Sequence, residues 1–209
     1  MAKQKECGTT LNLNYVIFSV VFIAVMTLLV LYMPNIREID GNILHSIRLA
    51  LSPYPAYIPA FISDFGGINQ HLLWPQITAC SVLVSHKKFL KAFLLVVFVE
   101  GTYFLSGFLK NFVCRARPEG CTHAGFSFPS IHASVAMCFL GILIYLVNRY
   151  VSNNLWRNVL IILFGVWIFL ICISRLWLGV HFPIDVLTGA VFGFMMVNLY
   201  IILIRALGN

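Results

Sequence analysis

A chain of 209 residues that is 60% hydrophobic and only 10% charged is not a soluble globular protein, because charged side chains supply roughly a quarter of such chains. A mean hydropathy of +0.91 means that the excess apolar surface faces lipid rather than water. The net charge of +7 does not point to nucleic acid, since there is no basic run beyond Lys87-Lys88 and no interleaving of aromatic and basic residues in a polar segment. In a membrane the same charge orients the chain and attracts anions. The six cysteines show no zinc-type spacing, so no structural metal is expected.

Crossing ~30 Å of hydrocarbon as a helix takes ~20 residues, and apolar runs of that order recur along the chain. The first extends from about Tyr15 to Met33 and is stopped by Pro34-Asn35. Its Lys3 and Lys5 flank resembles a signal peptide, but the run is too long and no small-residue cleavage site follows. A retained signal anchor is expected. Next, Ile36, Ile39, Ile43, Ile47 and Leu51 recur at helical spacing, with Arg37, Gly41, His45 and Arg48 between them. That pattern predicts a helix lying in the membrane interface. Ser52-Pro53 ends it, and the Pro-rich stretch to Gly67 reads as irregular interfacial structure.

A weaker second span follows from about Ile68 to Ser85, then a third from Phe89 to Leu109. The fourth covers Pro129 to Val147, the fifth Leu155 to Ile173 and the sixth Pro183 to Ile204. The expected architecture is an all-α integral membrane protein of about six transmembrane helices, with an interfacial helix between the first two, forming one domain over residues 1–209. Gly189 and Gly193 are spaced to let the sixth helix pack closely within the bundle.

Six spans place Lys3, Lys5, Lys87, Lys88, Lys91, Arg149, Arg157 and Arg205 on one side of the membrane. The other side receives Arg37, Arg48, Lys110, Arg115, Arg117 and Arg175. Eight against six decides little, but Lys110, Arg117 and Arg175 belong to polar clusters with a task of their own. Setting those three aside leaves eight against three, which predicts cytoplasmic termini and puts the 34–67, 110–128 and 174–182 loops on the far face.

Three polar clusters fall at helix ends on that face. They are Lys110 to Arg117-Pro118, then Phe128-Pro129-Ser130-Ile131-His132, then Ser174-Arg175 with His181 and Asp185. Ionisable groups so close to hydrocarbon are costly and mark function. Each type suits phosphoryl transfer, in which charge spreads over three equatorial oxygens and fixed Arg and Lys donors stabilise it. Arg offers a planar fork and Lys a point charge. Pro129 suits the first turn of a helix and leaves the amides near Ser130 and Ile131 free to face an anion. Two histidines can divide the labour of nucleophile and general acid. Asp185, four residues past His181, stands one helical turn away and can fix the tautomer of the ring.

Lys110 with six residues before Arg117-Pro118, Pro129-Ser130-x-His132, and Ser174-Arg175 with five residues before His181 and three more before Asp185 together resemble the type 2 phosphatidic acid phosphatase (PAP2) family. The motifs span residues 110–185, and the six-helix layout extends the resemblance over nearly the whole chain. The resemblance implies His181 as a nucleophile that forms a phosphohistidine, Asp185 as its orienting partner and His132 as the acid for the leaving group. Lys110, Arg117, Ser130 and Arg175 would hold the phosphate. Family members need no metal, and no cofactor is expected. Where the family usually has Gly, this chain has Ile131.

The expected activity is therefore removal of phosphate from a membrane lipid phosphate or pyrophosphate at the extracytoplasmic face of a bacterial inner (plasma) membrane. Isoprenyl pyrophosphate, phosphatidylglycerol phosphate, phosphatidate and a lipid A phosphate are all candidates, with the lipid tail entering laterally between helices. A phosphotransferase passing the phosphoryl group to a second lipid would use the same residues. A transporter of anionic lipids would instead want charges near the midplane and a repeated half, neither of which is visible. Cys114 and Cys121 bracket Arg117 on the far face and form either a disulfide or two free thiols. His123 reads as a solvated loop histidine, and Glu100, placed mid-span, has no partner that the sequence names.

Overall fold

The computed structural model describes residues 2–55, 57–65 and 73–208, and every described regular element is helical. The order is α1 (Ala2–Tyr32), α2 (Ile36–Leu51), α3 (Tyr57–Phe65), α4 (Leu73–Ser85), α5 (Phe89–Val113), α6 (Ile131–Tyr150), α7 (Asn154–Trp177) and α8 (Pro183–Ala206). Five of them carry apolar stretches long enough to cross a bilayer: Asn12–Tyr32 within α1, and α5, α6, α7 and α8. Helix α4 is shorter, with 13 residues. The beginning of the span expected from Ile68 falls in 66–72, outside the described residues.

Helix α6 is the centre of the bundle and packs against α5, α7 and α8. Outside this core, α1 lies along α8, α4 against α5, and α3 against α7. Phe104, Phe108 and Phe112 form an outward stripe on α5, each about two-thirds exposed in the isolated chain. Such surface is stable only against lipid tails. The contact of α6 with α8 depends on two glycines. A Cβ at Gly189 would lie 2.4 Å from the Ser130 carbonyl oxygen, and one at Gly193 would lie 2.2 Å from that of Ser134. Their spacing therefore serves packing inside the bundle, as small residues at membrane helix contacts do.

The interfacial helix α2 runs from Ile36 to Leu51 and packs on α7 and α8. Its buried face carries Asp40 and Leu44, while Ile39 and Ile43 point outward. Glu38 in its first turn and Arg48 in its last complement the helix dipole. The following Pro-rich stretch is not wholly irregular, because Tyr57–Phe65 forms a nine-residue helix. Pro59 falls in its first turn, where a missing N–H costs nothing.

The chain ends meet away from α2. Arg205 donates to the Asn12 side chain at 2.7 Å, and Asn12 donates to Asn198 at 2.6 Å. At the same end the Lys88 ammonium lies over the Tyr150 ring, 5.6 Å from its centroid. The C-termini of α5 and α7 and the N-termini of α6 and α8 share the opposite end with α2 and α3.

Candidate active site

Helix α5 stops because Cys114 turns left-handed at φ +54, with its amide bonded to the Lys110 carbonyl at 3.0 Å. The segment after it folds back on itself: the Ser127 amide donates to the Arg115 carbonyl at 2.7 Å, and its hydroxyl reaches the carbonyls of Arg115 and Ala116 at 3.2 Å. Arg117 fastens this loop to the next one. Its guanidinium donates to Gly125 O at 3.1 Å, Ala124 O at 3.3 Å and Val180 O at 2.9 Å. Those bonds use three of its five N–H groups.

The entry to α6 is pinned on the entry to α8. The Ser130 amide donates to the Asp185 carbonyl at 2.9 Å, so this amide is not free for an anion. Ser130 is the N-cap, and Pro129 precedes the helix rather than opening it. The first-turn amides of α6 that remain without helical acceptors begin at Ile131. Ile131 itself is half-buried and right-handed helical, a conformation that a β-branched side chain accepts.

Pro183 does open α8. Asp185, two residues on, is fully buried and uses its oxygens separately. Oδ2 accepts from the Phe182 amide at 2.9 Å and lies 3.6 Å from His181 Nδ1. Oδ1 accepts from Arg115 Nη1 at 2.6 Å. The separation from His181 exceeds a formed hydrogen bond, though catalytic contacts are often long before substrate binds. Burial lowers the His181 imidazole from 6.5 to about 4, with Asp185 pulling the other way. His181 is therefore neutral at physiological pH, as a nucleophile requires.

His132, in the first turn of α6, is within electrostatic reach of Arg175, His181, Lys110 and Arg117. Lys110 in turn faces Arg117, Asp185 and Arg175. The structure thus gathers Lys110, Arg117, Ser130, His132, Arg175, His181 and Asp185 at one end of the bundle. Arg175 is 5% exposed and donates one Nη1 bond to the Ser63 hydroxyl of α3. Ser130 Oγ, Arg175 Nε and His181 Nδ1 are buried without a hydrogen-bond partner among the described residues. His181 Nδ1 is turned to Asp185, and the other two atoms, buried and unpaired, are a large cost unless a ligand meets them.

Cys114 and Cys121 are both unbonded in this structure. The left-handed turn at Cys114 directs its sulfur to the Asn111 carbonyl at 2.9 Å, back toward α5. His123 is exposed in the loop, and Glu100 is half-buried on α5. Among the described residues, no three His, Cys, Asp or Glu side chains form a metal-ligand group.

Sequence reasoning missed three residues here: Arg115, Asp40 and Ser63. Asp40 carried a readable signal, since it stands four residues after Ile36 on a helix with a buried stripe, where a carboxylate needs a partner. Arg115 and Ser63 carried none, because their contacts join distant parts of the chain. Two cavities lie outside the cluster, one beside it and one reaching toward the opposite end of the bundle at Lys88 and Tyr150. One of about 520 Å³ lies between α2 and the loop at Pro118 and Phe182. Another of about 1000 Å³ is an apolar groove between α4, α6 and α7, lined by Leu83, Phe139, Leu143 and Phe164.

Residues 89–208 match the family model of the PAP2 superfamily. This chain belongs to that superfamily. The PAP2 protein is 36% identical over 108 residues to phosphatidylglycerophosphatase B of Bacillus subtilis, covering 49% of this chain and 53% of that protein. The match thus spans about half the length of that relative. It is also 26% identical over 179 residues to lipid A 4'-phosphatase of Bacteroides thetaiotaomicron, covering 76% of this chain and 73% of the relative. The fold resembles a crystal structure of a transmembrane PAP2 type phosphatidylglycerolphosphate phosphatase from Bacillus subtilis, with a TM-score of 0.77, 24% identity and coverage of 93% and 96% of the two chains. LpxE of Aquifex aeolicus is a more distant structural likeness, with a TM-score of 0.55, 23% identity and coverage of 76% and 93%.

Proposed function

We propose that this PAP2 protein hydrolyses a membrane lipid phosphate or pyrophosphate through a phosphohistidine at His181. The observation that carries the reading is the buried imidazole of His181, backed by Asp185 and beside Lys110 and Arg175, which in turn lie near Arg117. Because Nδ1 faces the carboxylate, Nε2 is the attacking atom. It forms a bond to phosphorus as the bond from phosphorus to the lipid oxygen breaks, and His132 gives that oxygen its proton. His132 then takes a proton from water, whose oxygen displaces His181 and releases inorganic phosphate. Asp185 stabilises the charge that His181 gains on attack.

Lys110, Arg117 and Arg175 would hold the equatorial oxygens, joined by the Ser130 hydroxyl. Asp185 offsets this clamp only in part, since its Oδ1 is held by Arg115. The protein's own cations supply the electrostatic stabilisation, so the proposed reaction has no metal-dependent step. The site lies at helix ends beside the interfacial helix, where a phosphate headgroup resides while its tails stay in the bilayer. The excess of Lys and Arg at the end carrying the termini favours cytoplasmic termini and an extracytoplasmic site. The names of the relatives add support for a lipid phosphate substrate.

The test is phosphate release from purified protein on phosphatidylglycerol phosphate, phosphatidate, isoprenyl pyrophosphate and lipid A phosphate, each with excess chelator and with or without a second acceptor lipid. Release from at least one of them with chelator present is expected. Phosphate found only on the second lipid would make the protein a transferase. No turnover of any lipid phosphate would overturn the proposal.

A further inference from the structure

We propose that Arg115 and Asp40 are positioning residues of this site, the Arg115 guanidinium being clamped by Asp40 of α2 so that it holds the Asp185 carboxylate in the orientation that serves His181. The inference rests on the proposed roles of His181 and Asp185. Neither Arg115 nor Asp40 belongs to the three-part motif, and Asp40 lies outside the matched segment 89–208.

The geometry is that of a bridge between two buried carboxylates. Arg115 Nη1 reaches Asp185 Oδ1 at 2.6 Å, and Nη2 lies 2.9 Å from Asp40 Oδ2. The side chains are 6%, 0% and 1% exposed for Arg115, Asp185 and Asp40. The Phe182 ring covers the guanidinium, whose central carbon is 4.2 Å from the ring centroid. Asp40 Oδ1 accepts from the Ile184 amide at 3.1 Å, so this one carboxylate grips both Arg115 and the first turn of α8. Burial pushes the Asp40 carboxyl up, and Arg115 opposes the shift.

This arrangement makes Arg115 unsuited to hold phosphate. Its two terminal nitrogens face carboxylates and its plane is covered, whereas no ion pair holds the Arg175 guanidinium among the described residues. What Arg115 does is occupy Oδ1, which leaves Oδ2 as the oxygen turned to the Phe182 amide and His181 Nδ1. Because Asp40 is on α2, the seating of the interfacial helix against α8 and the alignment of the nucleophile become one structural condition. A buried charge pair of this kind is costly to break from one side, since the remaining carboxylates are left uncompensated.

Three variants test it: Arg115→Gln, Asp40→Asn, and Arg115→Gln combined with Asp185→Asn. If Arg115 acts through Asp185, Arg115→Gln lowers kcat about 10–100-fold with KM within about threefold. Asp40→Asn lowers kcat about 3–10-fold, and adding Arg115→Gln to Asp185→Asn costs no more than about twofold further. A raised KM at unchanged kcat would instead make Arg115 a phosphate ligand. Full multiplication of the two losses would make its role independent of Asp185. Either result overturns the proposal, as does unchanged kcat in both single variants. Should Arg115→Gln fail to fold, Arg115→Lys, which keeps the charge but lacks the planar fork that presents separate nitrogens to the two carboxylates, takes its place with the same criteria. Nitrogen NMR of the His181 ring separates this test from the proposed reaction, because it needs no turnover. Arg115→Gln should move the His181 Nδ1 signal, and an unmoved signal overturns the positioning role even in an active enzyme.

Discussion

The two ends of the bundle both carry cations, and they hold them in different ways. At the end with the termini, Lys88 and Lys91 place their ammonium groups over the Tyr150 ring, each 5.6 Å from the centroid, and Arg205 bonds an amide oxygen of Asn12. At the other end Arg115 is fixed by two carboxylates, Arg117 by three carbonyls and Arg175 by Ser63. Among the described residues, every ion pair is at this second end. Orienting a chain in a bilayer needs only that charge be present on one side. Stabilising a transition state needs charge held in place before the reaction begins, and only one end is built for that.

Removing His181, the proposed nucleophile, should separate the ends most sharply. His181→Ala is expected to lower turnover by at least about 10⁴-fold, measured as phosphate release, with the protein still folded. Arg175→Ala, which takes one cation from the fixed set, should cost about 10²–10³-fold in kcat. Lys88→Ala at the opposite end should stay within about twofold in turnover, since its ammonium lies over Tyr150 at the far end of the bundle from the cluster. Equal losses for Arg175→Ala and Lys88→Ala would erase the distinction between the ends.

A pH profile sharpens the comparison further. With the His181 imidazole lowered to about 4 by burial, the proposed nucleophile is neutral well below the ordinary histidine range. The acid limb of the phosphoenzyme-forming rate should accordingly fall near pH 4, and a limb near 6.5 would contradict a buried neutral ring. The same depression bears on stability. This group costs nothing above its unfolded value of 6.5, and it destabilises the folded state progressively as pH falls through 6.5 toward 4.

Packing variants should have smaller effects on chemistry. Gly193→Ala puts a Cβ 2.2 Å from a backbone carbonyl that cannot rotate away, so a loss of about 1–3 kcal/mol and a lowered Tm are expected. Ile131→Gly should be the mildest change, because Ile131 already sits in helical geometry. Activity within about threefold of wild type is expected, matching the ~1 kcal/mol or less that a helical Gly costs, together with a shift in preference across a lipid panel. Unchanged selectivity would remove any special role for that side chain.

Much of this frame was legible because helix ends and apolar runs are local features. Ile36 to Leu51 announced an amphipathic helix through its own spacing, and Pro183 announced the start of α8. The three polar clusters were visible because charged residues beside long apolar runs stand out. Less visible were features that depend on distant partners. The helix at Tyr57–Phe65 was hidden by prolines that in fact flank it or fall in its first turn. The Ser130 amide, expected to face an anion, bonds the Asp185 carbonyl instead, a contact across 55 residues of chain that no local pattern encodes. Arg115 was counted only as a charge, since its partners come from α2 and α8.

The central claim is that His181 carries the phosphoryl group, and trapping the intermediate tests it most directly. Purified protein is mixed with a lipid phosphate labelled in its phosphate, with excess chelator present, then quenched and mapped by mass spectrometry under conditions that preserve phosphohistidine. The account predicts an acid-labile adduct on His181, absent from His181→Ala and formed at an undiminished rate with chelator. An adduct on another residue, or turnover that requires a divalent ion and leaves no adduct, would contradict it.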